Sequence, residues 1–186
     1  MIYLGLDPGV SGGLACVDGL GRGEARAMPT TERDILDALE ALAGGPARGA
    51  CIAVIERVHS MPKQGHSGAF TFGRSRGRLE MALTALRIPF EEVSPQVWQR
   101  AMGCLTGGDK NISKRRAQQL FPSLTIVHAT ADALLLAAFC RRQGVTDEAV
   151  LVASGSARVS GLSASAGAVP LTAARVRRAG ARGTGA

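Results

Sequence analysis

Asp7, Glu56, His128 and Asp132 are the residues whose types and settings could do chemistry together. Asp7 closes the apolar run Ile2-Tyr3-Leu4-Gly5-Leu6 and is followed at once by Pro8-Gly9, which puts a carboxylate at the end of an inner strand. Glu56 closes the run Cys51-Ile52-Ala53-Val54-Ile55 in the same manner. Asp132 is the odd residue in a stretch that is otherwise apolar from Ala131 to Cys140. A buried carboxylate without a partner costs several kcal/mol, so it calls for a cation or a strong set of donors. His128 lies four residues earlier, on the same helical face. Both fall in the first turns of that helix, where its N-terminus favours negative charge. Singly, each has a plainer reading: Asp7 as a turn-forming Asp, Asp132 as a cap or ion pair, His128 as a capping or core imidazole. Together they make an oxygen-rich cluster of the kind that holds Mg²⁺ or Mn²⁺. Two such ions ~4 Å apart can activate a water and stabilise the leaving oxygen of a phosphodiester. Carboxylates brought together without a metal would repel one another.

Positions so far apart in the chain can meet only if a sheet and a helix carry them there. Strands are expected at Ile2–Leu6, Gly13–Asp18 and Glu24–Met28, with Gly19, Gly21 and Gly23 turning them into an antiparallel meander. Thr30 or Thr31 caps a helix over Glu32–Ala43, whose Ile35, Leu36, Leu39 and Leu42 form one apolar stripe. Cys51–Ile55, apolar and preceded by a helix, suits a central parallel strand covered on both faces. A helix from about Ser67 to Arg87 carries Phe70, Leu79, Met81, Leu83 and Leu86. Ile88–Val93 is an edge-like strand, because Pro89 cannot donate to a ladder. Ser94-Pro95 opens a helix bearing Val97, Trp98 and Met102. Gly103 to Asn111 reads as a loop, Ser113 as the cap of a helix through Leu120, and His128 as the start of a last, buried helix. Phe70, Phe72 and Trp98 are expected in the core. The pattern is α/β: a mixed sheet of three antiparallel opening strands plus parallel strands, flanked by helices.

The chain has 186 residues, 46% of them hydrophobic, enough for one good core, so a single domain is expected over residues 1–152. Residues 153–186, dominated by Ala, Gly, Ser, Val and Arg without an aromatic residue, are expected to be a disordered basic tail. From residue 149 onward there are five Arg and no acid, which accounts for most of the net charge of +7. The basic residues of the body therefore matter by where they cluster. No secretory leader and no membrane span are visible, and Cys16, Cys51, Cys104 and Cys140 lack any CxxC spacing. Reduced, buried thiols in a cytoplasmic protein are expected. The absence of an internal repeat argues against an actin-like phosphotransferase, which needs two duplicated halves.

In these stretches the chain resembles the RuvC-type Holliday-junction resolvases of the RNase H-like superfamily, especially their compact phage and organellar branch. The matching segments are GLDPGVSGGLA (5–15), IERVHSMPKQG (55–65), FTFGRSRGRLE (70–80), VSPQVWQ (93–99), GDKNISKRRAQQLFPS (108–123) and HATADALLLAA (128–138). They follow the family order over most of residues 1–143. The resemblance implies an RNase H-like sheet and a homodimeric, Mg²⁺-dependent endonuclease, with Mn²⁺ as a possible substitute. Its substrate would be a four-way DNA junction, nicked in a symmetric pair to leave 5′-phosphate and 3′-hydroxyl ends. Asp7, Glu56 and Asp132 would be metal-binding catalytic acids, with His128 at a fourth position where other members carry Asp or His. An imidazole there can ligate a metal or take a proton from the attacking water. Lys110 would face the scissile phosphate. A junction-binding protein of the same fold without activity is the alternative, and cooperation with a branch-migration motor is left open.

Basic residues near these acids are candidates for DNA contact. Arg57, His59, Lys63 and His66 follow Glu56 and would meet phosphates at the mouth of the site, while Met61 could wedge against a base. Arg74, Arg76 and Arg78 open the long helix and could track a strand, or simply be surface arginines. Lys110, Lys114, Arg115 and Arg116 form the densest basic cluster of the body, read equally well as a solvated helix start. Gly73 and Gly77 would allow close packing along the long helix. In the resembled family that helix lies at the two-fold dimer interface.

Overall fold

The computed structural model describes residues 1–45, 49–57 and 65–143, without the side chain of His66. The expected tail over 153–186 and the loop residues His59, Met61 and Lys63 lie outside the described residues. Strands β1 (Ile2–Asp7), β2 (Gly13–Asp18) and β3 (Gly23–Ala27) form the opening antiparallel meander. β4 (Cys51–Glu56) runs parallel to β1, and β5 (Phe90–Val93) runs parallel to β4 at the sheet edge. The five-stranded order is β3-β2-β1-β4-β5. The mixed α/β sheet expected from the sequence is present, and β1 and β4, the two acid-bearing strands, are neighbours in its middle.

Alternation along the strands divides the core in two. Leu4, Leu6, Leu14, Ala53 and Ile55 pack against α1 (Glu32–Leu42) and α2 (His66–Ala85) through Ile35, Leu39, Leu79 and Leu83. On the other face Ala15, Val17, Ile52 and Val54 meet α3 (Pro95–Met102), α4 (Lys110–Leu120) and α5 (His128–Arg142) through Trp98, Ala117 and the buried leucines 134–136. α5 lies directly on the sheet because two strand glycines admit it. A Cβ on Gly5 would stand 2.2 Å from the Ala133 carbonyl oxygen, and one on Gly13 would stand 2.2 Å from that of Ala129. These contacts fix the turn of α5 that carries Asp132.

Several expectations need correcting. α4 begins at Lys110, not Ser113, because the Asp109 carboxylate accepts from the Asn111 backbone N–H at 2.9 Å and caps the helix. Lys110 therefore sits on a helix rather than in a loop, and Ser113 is buried inside it. Ser94 holds the N-cap position of α3 and Pro95 follows it, but the serine side chain makes no capping bond. Phe70 is not core: it is 75% exposed on α2, as is Met81 at 65%. None of the four cysteines is in a disulfide; Cys104 and Cys140 are buried and the other two half-buried. Among the described residues, no helix is long and apolar enough to cross a membrane.

Candidate active site

Asp7 and Glu56 stand side by side because their strands run in parallel register. Leu6 pairs with Ile55, so the next residue on each strand is an acid, on neighbouring strands roughly 4.8 Å apart. The turn after Asp7 is fixed from outside: the Gly9 N–H donates to Ser75 Oγ of α2 at 2.9 Å, and the Phe72 ring packs on Gly9. Gly9 has φ +123°, a conformation that side-chain-bearing residues rarely adopt. Glu56 is held by α3, where the indole N–H of fully buried Trp98 donates to its Oε1 at 2.9 Å. Asp132 reaches the same place from α5, one turn in from exposed His128.

The electrostatics show how closely the three acids converge. Burial, and then repulsion from Glu56 and Asp132, pushes the Asp7 carboxyl well above the usual range. Burial also raises Glu56, with the Trp98 bond pulling the other way. Asp132 is raised by burial, opposed by Ser113, Lys110 and His128. Lys110, exposed at the start of α4, lowers all three carboxyls and so lies within Coulombic reach of each. Ser113 lies beside Asp132, and among the described residues Ser113 Oγ and Asp132 Oδ1 are both buried with no hydrogen-bond partner.

These features suit a hard divalent cation. Three mutually repelling carboxylates offer oxygen ligands, and one buried carboxylate oxygen has no donor to satisfy it. Among the described residues no three His, Cys, Asp or Glu side chains are gathered as tightly as the ligands of one ion. Asp7, Glu56 and Asp132 would have to draw in around it.

The other candidates are placed less decisively. Arg57 pairs with Glu92 at 3.3 Å, Arg76 with Glu80 at 2.7 Å and also with Glu92, and Arg74 and Arg78 with Glu32 at 3.2 and 2.8 Å. Lys114 is half-buried along α4. Among the described residues Gly73 and Gly77 have nothing within 4 Å of where a Cβ would stand, so neither serves packing there. Sequence reasoning missed the roles of Ser75, Ser113 and Trp98. Ser75 gave no signal, because serines inside helices are common, and the sequence offers Ser113 only as a helix cap. A sole tryptophan placed in the core did carry one, since a buried indole N–H needs an acceptor. A cavity of about 710 Å³, lined by Tyr3, Phe121, Arg116, Arg141 and Arg142, opens at the far end of α5, away from the acids.

The fold has solved counterparts. Thermus thermophilus RuvC in complex with a Holliday junction superposes with a TM-score of 0.56 at 18% identity, covering 77% of this chain and 97% of that one. A further Thermus thermophilus RuvC structure gives 0.52 at 20% identity with the same coverage. The fold is the RuvC fold. No protein-family model matches the chain, and no curated protein matches it either. Within the RuvC fold Asp7 and Glu56 stand at the carboxyl ends of β1 and β4, and Asp132 comes from α5.

Proposed function

We propose that the chain is a divalent-ion-dependent endonuclease that resolves four-way DNA junctions as a homodimer. The observation that carries the reading is the nearness of Asp7, Glu56 and Asp132 to one another, with exposed Lys110 and His128 within Coulombic reach. The sharing of its fold with a RuvC solved on a Holliday junction supports the substrate class. When bound there, Mg²⁺ or Mn²⁺ would supply an activated water and charge stabilisation at the phosphodiester. Asp7, Glu56 and Asp132 would hold the ions, Lys110 would bring positive charge to the scissile phosphate, and His128 would ligate or accept the proton of the water. Arg57, Arg74, Arg76 and Lys114, with His59, Met61 and Lys63, would line the DNA path. The ion pairs of the three arginines are partly exposed and cheap to exchange for phosphates. The exposed face of α2, with Phe70, Gly73, Gly77 and Met81, would form the two-fold interface that pairs the two cuts.

A second reading has one observation in its favour. The acids are not already gathered as ion ligands, as would suit a junction-binding protein of this fold without activity. Mg²⁺-dependent cleavage of a synthetic four-way junction, set against duplex, flap and RNA–DNA hybrid, separates the two. We expect paired nicks in the junction and none with Asp7→Asn. Tight junction binding by the unmodified chain with no nicks under Mg²⁺ or Mn²⁺ would select the second reading.

A further inference from the structure

Glu56 has two oxygens, and the fold has already assigned one of them. Trp98 is the only tryptophan in the chain, and it is fully buried. Its Nε1–H donates to Glu56 Oε1 at 2.9 Å. An indole nitrogen can only donate, so this bond is made to a lone pair of Glu56 and has no competing direction. Glu56 and Trp98 are locked together by their elements as well as by the bond. The Arg57 N–H donates to the Val93 carbonyl at 2.7 Å, tying the end of β4 to the end of β5, and α3 begins two residues later at Pro95. The Trp98 ring itself is wedged among Ile52, Val54 and the residues of α5 that form the same core. Neither partner can turn away without disturbing that core.

We propose that Trp98 is a positioning residue of the ion site: by holding Oε1, it commits Glu56 to approach a divalent ion through Oε2 alone. This rests on the reading of Glu56 as an ion ligand. A carboxylate with both oxygens free can swing between one-oxygen and two-oxygen contact, and a ligand held by an outer partner cannot. Removing such a partner typically weakens metal binding by about 10–100-fold.

The test uses the full chain and Mn²⁺ alone. Direct Mn²⁺ binding, followed by the paramagnetic resonance of the free ion, should be tenfold or more weaker in Trp98→Phe, which keeps the ring and loses the N–H. Junction binding in chelator should not change. The sole tryptophan provides a second measurement that needs no variant at the position itself. Mn²⁺ titrated into the unmodified chain should change Trp98 emission with the midpoint of binding, and Glu56→Gln should abolish that response. Equal Mn²⁺ affinity in Trp98→Phe, or emission indifferent to bound Mn²⁺, would overturn the assignment while leaving the ion site standing. Absence of any Mn²⁺ binding by the unmodified chain would instead overturn the ion site, and this assignment with it.

Discussion

The two ends of α5 are built on opposite terms. At its C-terminal end Arg141 donates to the Gly19 carbonyl at 3.2 Å and Arg142 to the Ala101 carbonyl at 2.7 Å. Cations belong at a helix C-terminus, and each here also satisfies a backbone acceptor. At its N-terminal end Asp132 is also the charge a helix dipole would favour. Yet it is crowded by two more carboxyls, and one of its buried oxygens has no partner. One end is locally consistent and the other is not. Conflict of this kind, in a helix whose middle is a close-packed core, is expected where a ligand rather than the chain completes the arrangement.

The sharpest way to separate the two ends is to remove a charge from the crowded one. Asp132→Asn should lower junction cleavage on the order of a thousandfold, a loss typical of deleting a group aimed at developing charge. It should leave the protein folded by circular dichroism. Asp7→Asn should also abolish cleavage, yet raise the melting temperature in chelator at pH 7 or above, because it removes the most strongly destabilised carboxylate. The pH dependence follows in sign. Burial raises the Asp7, Glu56 and Asp132 carboxyls above their unfolded values, and repulsion adds to it at Asp7 and Glu56. Folding therefore takes up protons as pH falls below the raised values. In chelator the stability should fall as pH climbs from the unfolded carboxyl range through the raised one. Asp7→Asn should flatten that slope. A slope of opposite sign would mean that the three acids are not held against their own repulsion.

Between the two ends, the seat of α5 on the sheet should be nearly as sensitive. Gly5→Ala puts a methyl 2.2 Å from both the Ala133 oxygen and the Ala137 nitrogen, and backbone on both sides cannot give. About 3 kcal/mol of destabilisation is expected, read from urea unfolding. A tolerated alanine would show that α5 can lift, and that the placement of Asp132 does not depend on this contact.

How much of this was legible in the chain divides along the same line. The acid-tipped strands and the apolar helix announced themselves, because strand ends and helix burial follow from local pattern. The order β3-β2-β1-β4-β5 was open to inference only in outline, though it is what makes Asp7 and Glu56 neighbours. The tertiary supports were invisible: Ser75 binds Gly9 from 66 residues away, and nothing near either position signals it. Phe70 misled for a related reason, since an aromatic residue in an amphipathic helix is read as core unless the chain's own packing leaves that face bare. The start of α4 was misplaced because Asp109 and Ser113 are both good caps, and only the structure shows that Asp109 makes the capping bond while Ser113 is buried inside the helix.

Ser75→Ala tests the least visible of these supports. It leaves the buried Gly9 N–H without an acceptor, at about 1–2 kcal/mol, or a few degrees of melting temperature. Because that N–H belongs to the turn after Asp7, cleavage should drop by more than the stability loss explains, with junction binding kept.

The satisfied end of α5 provides the control for all of these. Arg142→Ala removes a donor at the helix end and should cost less than about 1 kcal/mol, since the freed Ala101 carbonyl can turn to water. Cleavage should be unchanged, because the cavity at this end lies away from the acids. If Arg142→Ala instead weakened junction binding with a shallower salt dependence, the arginines there would be reading phosphates. The two ends of α5 would then differ in what they bind and not in whether they bind.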